Sequence, residues 1–274
     1  MSKTRNTVET DRSEQDATAR PDRSTAGALR PLNARSIALS ILLGTHPPEL
    51  PARALVALAE LFGIPGGTMR TALSRMVAAG DVATTDGRYR LAGRQVDRQG
   101  AQDEGRRAPT GAWDGRWHTI VTVDDQRDLA ERRRFRSIMA NRRYGELRPD
   151  IWCRPSNLGP APSEPGWLVT TGVIDGIDPE SLVSRLWDLD GIAAEAHRLL
   201  REMHDRREHH DWNDDTSIPV LFTTSAAVVR FLRHEPLLPD DLTPDGWPVG
   251  EVRDAYDRFE ADHQRLLQRF LRGA

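Results

Sequence analysis

The sequence predicts an α+β protein built from several domains. Two successive helices and a two-stranded hairpin follow one another between Pro51 and Leu91. Strands and helices alternate from Trp113 onward, and only helical patterns remain after Gly191. The predicted boundaries are a disordered arm at 1–32, a first domain at 33–93, a linker at 94–112, a central domain at 113–190 and a helical C-terminal domain at 191–274.

Length and composition indicate a cytoplasmic protein. A chain of 274 residues can hold two or three domains. No apolar run approaches the ~20 residues that span a bilayer, and the N-terminus lacks the apolar core of a secretory signal. The single cysteine, Cys153, excludes an internal disulfide and fits a reducing compartment. We therefore expect no membrane partner.

Charge restricts the kind of partner. The net charge is −3, which argues against a general polyanion binder, so any nucleic-acid site must be a local patch. Residues 1–32 are polar, mixed in charge and poor in large apolar side chains. Such a segment buries too little apolar surface to offset the entropy lost on ordering, and we expect it to be disordered.

Glycines and one proline delimit the elements of the first domain. Gly63 follows an apolar helical pattern and suits a left-handed helix cap. Pro65 suits the first turn of the next helix, where its missing N–H is no loss, and Gly80 ends that helix. Asp86 and Gly87 form a strong hairpin-turn signal. Helix, turn, helix and hairpin in this order predict a winged helix-turn-helix.

The helix after Pro65 has two distinct faces. Met69, Leu73 and Met76 recur at helical spacing and form an apolar stripe. The other face carries hydroxyls and guanidinium groups, with no acid between Pro65 and Gly80. Since such groups donate to phosphates and base edges, we predict DNA contacts on this helix and on the hairpin from Thr68, Arg70, Thr71, Ser74, Arg75, Arg88 and Arg90. The alternative is a solvated face that a winged-helix adaptor uses for protein contact.

The central domain shows the order strand, helix, strand, strand, helix. β-Branched and aromatic residues mark the strands, and apolar residues at helical spacing mark the helices. This order predicts a ferredoxin-like α+β domain with one further strand of unknown position. The predicted segments are strands at 117–123, 151–154 and 167–174 and helices at 125–144 and 179–189.

Four stretches, in order and at sensible distances, resemble the PaaX family of bacterial transcriptional repressors. They are GIPGGTMRTALSRMVAAGDV with GRYRL in 63–91; WDGRW from Trp113, continuing to YGELRPDIWCRP, which ends at Pro155; LWDL at 186–189; and EPLLP at 235–239 with the Trp247 segment. Glu235 stands where the family often has aspartate. The Trp247 segment also carries Gly246 and Val249 as extra residues.

The resemblance implies three parts: a winged helix, a ferredoxin-like domain similar to a CRISPR adaptation nuclease subunit, and a helical C-terminal domain. It also implies a homodimeric repressor of a catabolic operon, without a cofactor, released by phenylacetyl-coenzyme A or another acyl-coenzyme A. The densest basic run could hold coenzyme A phosphates or touch DNA, or it could be a solvated helix face. The candidate effector residues are Arg132, Arg133, Arg134, Arg136, Arg143 and Trp152.

Other chemistry is less well supported by the sequence. In the related nuclease subunit an aspartate at the place of Asp124 holds a metal, which leaves a metal-dependent nuclease as an alternative function. Asp124 and Asp125 alone are a poor magnesium site. The histidines between His197 and His210 lack the tight spacing of zinc ligands. Cys153 has no partners that suggest a nucleophile, so we predict no catalytic residue, no metal site and no enzyme activity.

Overall fold

The computed structural model describes residues 33–45, 47–96, 99–100, 112–123 and 128–273. These residues form α-helices and two antiparallel sheets, so the α+β prediction is confirmed. Within them, no helix has the length and apolar character that crossing a membrane requires. The predicted arm at 1–32 lies outside the described residues.

The described residues of the N-terminal part, 33–100, form a small sheet and three helices, apart from the short helical stretches at 94–96 and 99–100. The helices are α1 (Ala34–Leu43), α2 (Ala52–Leu61) and α3 (Gly66–Ala78). The strands are β1 (Glu49–Pro51), β2 (Val82–Thr85) and β3 (Arg88–Leu91), paired in the order β1-β3-β2. The sequence did not predict β1, because three residues that include a proline show no alternation.

Local signals placed the other elements correctly. Met69, Leu73 and Met76 are fully buried, as the apolar stripe of α3 predicted. Asp86 and Gly87 both have positive φ, 49° and 73°, which is the geometry of a tight hairpin turn. One detail differs: α3 begins at Gly66, so Pro65 occupies the cap position instead of the first turn.

A buried carboxylate holds the N-terminal part together. Asp81, in the turn between α3 and β2, is 1% exposed. It accepts hydrogen bonds from Arg35 of α1 at 2.6 Å and from Gln95 at 2.8 Å, and Arg94 lies 3.4 Å away. Its backbone oxygen also accepts from the Ala92 N–H. Asp81 therefore joins α1, the end of α3 and the segment that follows the wing.

The first residues of the predicted linker are packed. Residues 94–96 and 99–100 are helical, and Gln95 and Gln99 are both buried. Gln99 Nε2 donates to the Leu43 carbonyl at the end of α1, at 3.1 Å. Their partners are distant in sequence, so a polar composition alone could not predict this packing. Residues 101–111 lie outside the described residues.

The central part, residues 112–187, is a four-stranded antiparallel sheet with a helix on each face. Its strands are β4 (Trp117–Thr122), β5 (Gly145–Arg148), β6 (Ile151–Pro155) and β7 (Trp167–Gly172), in the order β5-β6-β4-β7. Its helices are α4 (Leu129–Asn141), between β4 and β5, and α5 (Pro179–Leu186), after β7. The further strand that the sequence left unplaced is β5.

This arrangement departs from the predicted ferredoxin-like order, in which a helix separates the third and fourth strands. Residues 156–166 contain no helix, because three prolines and two glycines interrupt the segment from Gly159 to Gly166. The two helices also cover opposite faces. Ile120 and Trp152 pack with α4, while Trp117 and Cys153 pack with α5.

The C-terminal part, residues 189–273, is helical, as predicted. Its helices are α6 (Leu189–His209), α7 (Ile218–His234) and α8 (Val249–Gly273). The loop after α7 begins with Glu235, which is 3% exposed. The Glu235 carboxylate binds Arg253 of α8 and lies 3.8 Å from Arg143 of the central part. This buried ion group joins the central and C-terminal parts.

The N-terminal part contacts the C-terminal helices α7 and α8 at a second junction. The ring of Phe62, after α2, packs edge-on against Phe222 of α7, with centroids 5.3 Å apart. Gln264 Nε2 of α8 donates to the Gly44 carbonyl at the end of α1, at 2.9 Å. The described contacts at this junction thus include an aromatic pair and an amide hydrogen bond, and Gln264 also donates to the buried Glu260 carboxylate of α8 at 2.7 Å.

Replacing Asp81 by Ala should destabilise the fold by about 1–3 kcal/mol at neutral pH, because the buried Gln95 amide loses its acceptor. The hydrogen bond from Arg35 holds the pKa of Asp81 below its usual value. The stabilisation is therefore complete above the unfolded-state pKa and is lost as the pH falls through the folded-state pKa.

The free energies of unfolding of wild type and Asp81→Ala, measured in urea, should accordingly differ most at pH 7, and the difference should shrink in acid as Asp81 becomes protonated. Asp257→Ala, which removes an exposed carboxylate of α8, is the matched control and should unfold like wild type. A difference between wild type and Asp81→Ala that does not shrink on acidification would contradict the role of the ionised carboxylate.

Candidate nucleic-acid interface

The outward face of α3 carries all five predicted contact residues. Thr68, Arg70, Thr71, Ser74 and Arg75 are exposed. Thr71 Oγ1 donates to the Gly67 carbonyl at 3.0 Å, and Ser74 Oγ donates to the Arg70 carbonyl at 3.1 Å. These bonds turn the two hydroxyl protons toward the helix and leave the hydroxyl oxygens facing outward as acceptors.

The two arginines flank this face. They are five residues apart, which separates them by roughly 140° around the helix axis. Arg70 lies on the side of α2, where its Nη1 and the Glu60 carboxylate both approach Gly66. Arg75 lies on the side of α1. The sequence placed both arginines on one side of the helix; the structure separates them, so each would reach a different part of a partner.

A groove runs along the Arg75 side of α3. It has a volume of about 700 Å³ and is open to solvent. One wall is α3, and the other is the start of α1 with Arg35. The sequence did not indicate that α1 lies beside this face, because the contact is between elements about thirty residues apart. The lining residues are Asn33, Ala34, Arg35, Pro65, Gly67, Thr68, Thr71, Ala72 and Arg75.

The two wing arginines differ in their electrostatic surroundings. Both Arg88 and Arg90 are exposed on β3. Arg88 forms an ion pair with Glu49 of the unpredicted strand β1, so part of its charge is neutralised. Arg90 stands opposite Glu49 in the strand register, but forms no ion pair with a described carboxylate. Arg90 is therefore the stronger candidate for an anion contact on the wing.

Part of the basic run of the central part is solvent-exposed. Arg132, Arg133 and Arg134 lie on the outer surface of α4 and pair with no carboxylate among the described residues. Arg136 is also exposed but forms an ion pair with Glu146 of β5, at 3.2 Å. The three consecutive arginines form a surface that an anionic ligand could reach. We call them the α4 arginines.

Two of the predicted effector residues belong to the interior instead. Arg143 is 7% exposed, and its guanidinium donates to the Leu232 carbonyl at 3.0 Å and to the Glu235 carbonyl. Trp152 is 6% exposed and packs edge-on against Phe135 of α4. The sequence showed a cationic run and a tryptophan, but it did not show that these two side chains point inward. Neither is placed to meet a ligand from solution.

The described residues give no support to a metal site or to a nucleophilic cysteine. No group of three histidine, cysteine or carboxylate side chains comes together there as a metal site. His204 and His209 instead form exposed pairs with Glu208 and Asp205 along α6. Burial raises the pKa of the Cys153 thiol, which disfavours the thiolate that a nucleophile requires. Asp124 and Asp125 lie outside the described residues.

Comparison with known proteins finds a family model and solved structures that are similar to this chain. A family model described as PaaX-like protein matches residues 33–95, which include α1 to α3 and the hairpin. Among solved structures, the chain is similar to the uncharacterized protein Rv0674 from Mycobacterium tuberculosis, at 37% sequence identity and a TM-score of 0.67. That match covers 86% of this chain and 98% of the other. A comparison with curated proteins finds no match.

Proposed function

We propose, because the chain belongs to the PaaX-like family of transcriptional regulators, that it is a cytoplasmic, sequence-specific DNA-binding repressor of a catabolic operon. Residues 33–93 serve as a winged helix-turn-helix in this proposal. The observation that carries it is the outward face of α3, which is exposed, rich in hydroxyl and guanidinium groups and without an acidic residue.

The recognition chemistry follows from this face. A helix in the major groove meets base edges with its exposed side chains, and an arginine there binds guanine O6 and N7 with two hydrogen bonds. Arg75 and Arg70, on opposite flanks of α3, would reach bases or phosphates on either side of the helix axis. Arg90 on the wing would contact the backbone beside it.

The overall charge supports a DNA-binding unit that consists of two chains. A chain with a net charge of −3 gains little from long-range attraction to DNA. The few cations near α3 and the wing therefore supply the phosphate contacts, and a homodimer would double them on two half-sites about one helical turn apart.

The α4 arginines are the proposed contact for the effector, which is phenylacetyl-coenzyme A or a related acyl-coenzyme A. Their exposure supports this role, because guanidinium groups bind phosphates with strong charged hydrogen bonds and coenzyme A carries several phosphates. A ligand that binds better to one arrangement of the parts shifts the population toward it. We propose that this change in arrangement is transmitted to α3 through the contact between Phe62 and Phe222.

Replacing Arg75 or Arg70 by Ala should weaken binding to a cognate duplex by about 1–3 kcal/mol each, because a base-reading or phosphate contact is lost. The duplex would first be selected from a random pool by the wild-type protein. Fluorescence anisotropy at several salt concentrations then separates the two kinds of contact, since a lost phosphate contact lowers the salt slope by about 1.

The control for this experiment is Arg201→Ala, an exposed arginine of α6, which should bind as tightly as wild type. Equal affinity of wild type, Arg70→Ala and Arg75→Ala would reject α3 as the recognition helix. Weak binding by wild type that does not change with salt would instead favour a protein-binding adaptor.

Replacing all three α4 arginines by Gln should reduce the affinity for phenylacetyl-coenzyme A at least tenfold, because several charged phosphate contacts are removed. Isothermal titration calorimetry measures this directly, with coenzyme A and phenylacetate as separate probes of the two halves of the ligand. Arg185→Gln, an exposed change on α5, should bind like wild type. Unchanged affinity in the triple variant would remove the α4 arginines from the effector site.

A further inference from the structure

Helices α2 and α3 approach each other closely at Gly66, the first residue of α3. A Cβ atom at this position would lie 2.9 Å from Val56 Cγ1 of α2, closer than packed side chains come to one another. The absence of a side chain at Gly66 allows this approach. Side chains that flank Gly66 therefore lie near one another although they belong to different helices.

A carboxylate and a guanidinium group lie beside Gly66. Glu60 Oε1 of α2 is 3.0 Å, and Arg70 Nη1 of α3 is 3.4 Å, from the position that a Cβ atom on Gly66 would occupy. Both side chains are exposed. Opposite charges this close attract each other, and at an exposed position the attraction is modest. Glu60 therefore draws the Nη1 end of the Arg70 guanidinium toward α2.

Arg75, on the opposite flank of α3, has different surroundings. It lines the groove between α3 and the start of α1 together with Arg35. The residues that line this groove include no acid, and Asp81, the acid bound to Arg35, is buried. The Arg75 side of α3 therefore presents cations, whereas the Arg70 side presents a cation with a carboxylate next to it.

These two surroundings suit different parts of DNA. A carboxylate next to an arginine repels a phosphate, which reduces the gain from a contact with the DNA backbone. A base edge carries no net charge, so the repulsion is weaker there, and a glutamate can accept a hydrogen bond from the cytosine N4 amino group. The Arg70 side thus suits base edges, and the Arg75 side suits phosphates.

The Arg70 guanidinium has enough donors to meet both Glu60 and a base. A guanidinium group carries five N–H donors in a rigid planar fork. With Nη1 drawn toward Glu60, the edge formed by Nε and Nη2 remains for two hydrogen bonds to guanine O6 and N7. A side chain that is directed before binding also loses less freedom when it binds.

We propose that Glu60 is a positioning residue that directs Arg70 to a guanine edge and away from phosphates, so that Arg70 discriminates between sequences and Arg75 anchors the backbone. This inference rests on the proposed function, because it requires α3 to enter the major groove. It gives α2 a part in recognition, and it makes the two arginines of α3 unequal.

Glu60→Gln, which removes the charge and keeps the shape, tests this role. Fluorescence anisotropy would compare the duplex selected by wild type with a duplex substituted at the base pair where Arg70→Ala loses discrimination. Glu60→Gln should bind the substituted duplex about fivefold more tightly than wild type does, and its preference for the selected duplex should fall by a similar factor, because Arg70 is then free to contact phosphates. Glu180→Gln removes the same charge from an exposed position on α5 and should behave like wild type.

A double-mutant cycle shows whether Glu60 acts through Arg70. Glu60→Gln should reduce the preference in the Arg75→Ala background as much as in wild type, and should leave it unchanged in the Arg70→Ala background. Arg75→Ala by itself should weaken binding to both duplexes equally and lower the salt slope by about 1. A merely structural role of Glu60 would change all backgrounds alike and would also lower the stability in urea.

Three results would overturn the inference: an unchanged preference in Glu60→Gln, an equal loss of preference in the Arg70→Ala background, or an Arg70→Ala variant that discriminates at every base pair as wild type does. Each of them is obtained with a wild type that prefers the selected duplex, so the proposed function would stand. A wild type that binds all duplexes equally would reject the proposed function and this inference together.

Discussion

The buried carboxylate of Glu235 is the interaction on which the arrangement of the central and C-terminal parts depends. A charge removed from water is costly unless it is paired and hydrogen-bonded. Glu235 meets that requirement with Arg253 of α8, with Arg143 and with the Leu237 N–H of its own loop. Arg143 in turn donates to the carbonyls that close α7. Moving either part away would leave buried charges without partners, so we expect the two to move together.

The N-terminal part is attached to the C-terminal helices through contacts of a different kind. Asp81 secures α1, α3 and the segment behind the wing to one another, so the recognition surface keeps its internal geometry. Its described contacts with α7 and α8 include an edge-on aromatic pair and an amide hydrogen bond from Gln264, which also binds the buried Glu260 carboxylate. A change in the orientation of the N-terminal part would therefore break contacts at this junction and leave those of Asp81 in place.

Elements with local signals could be predicted from the sequence, and elements set by distant partners could not. The stripe of α3 and the Asp86–Gly87 turn depend on neighbours in the chain, and both are where they were expected. β5 carries a charged pair and an irregular register that hide its alternation. The burial of Arg143 depends on carbonyls about ninety residues away, and no pattern around Arg143 reveals them.

Distant partners also determine which cations of the candidate interface are available to bind an anion. A run of arginines in a sequence gives an upper bound on available charge, because each ion pair with a distant carboxylate reduces it. Glu49 neutralises part of Arg88, and Glu146 does the same for Arg136. What remains near α3 and the wing is a small number of cations per chain. Since the logarithm of DNA affinity falls with salt in proportion to the phosphates contacted, one copy alone would bind weakly at physiological ionic strength. In the proposed function, specific affinity then depends on holding two copies at the spacing of the half-sites. In that arrangement the contacts between the two copies would set the spacing, and the orientation of each N-terminal part against α7 and α8 would decide whether its α3 meets the half-site.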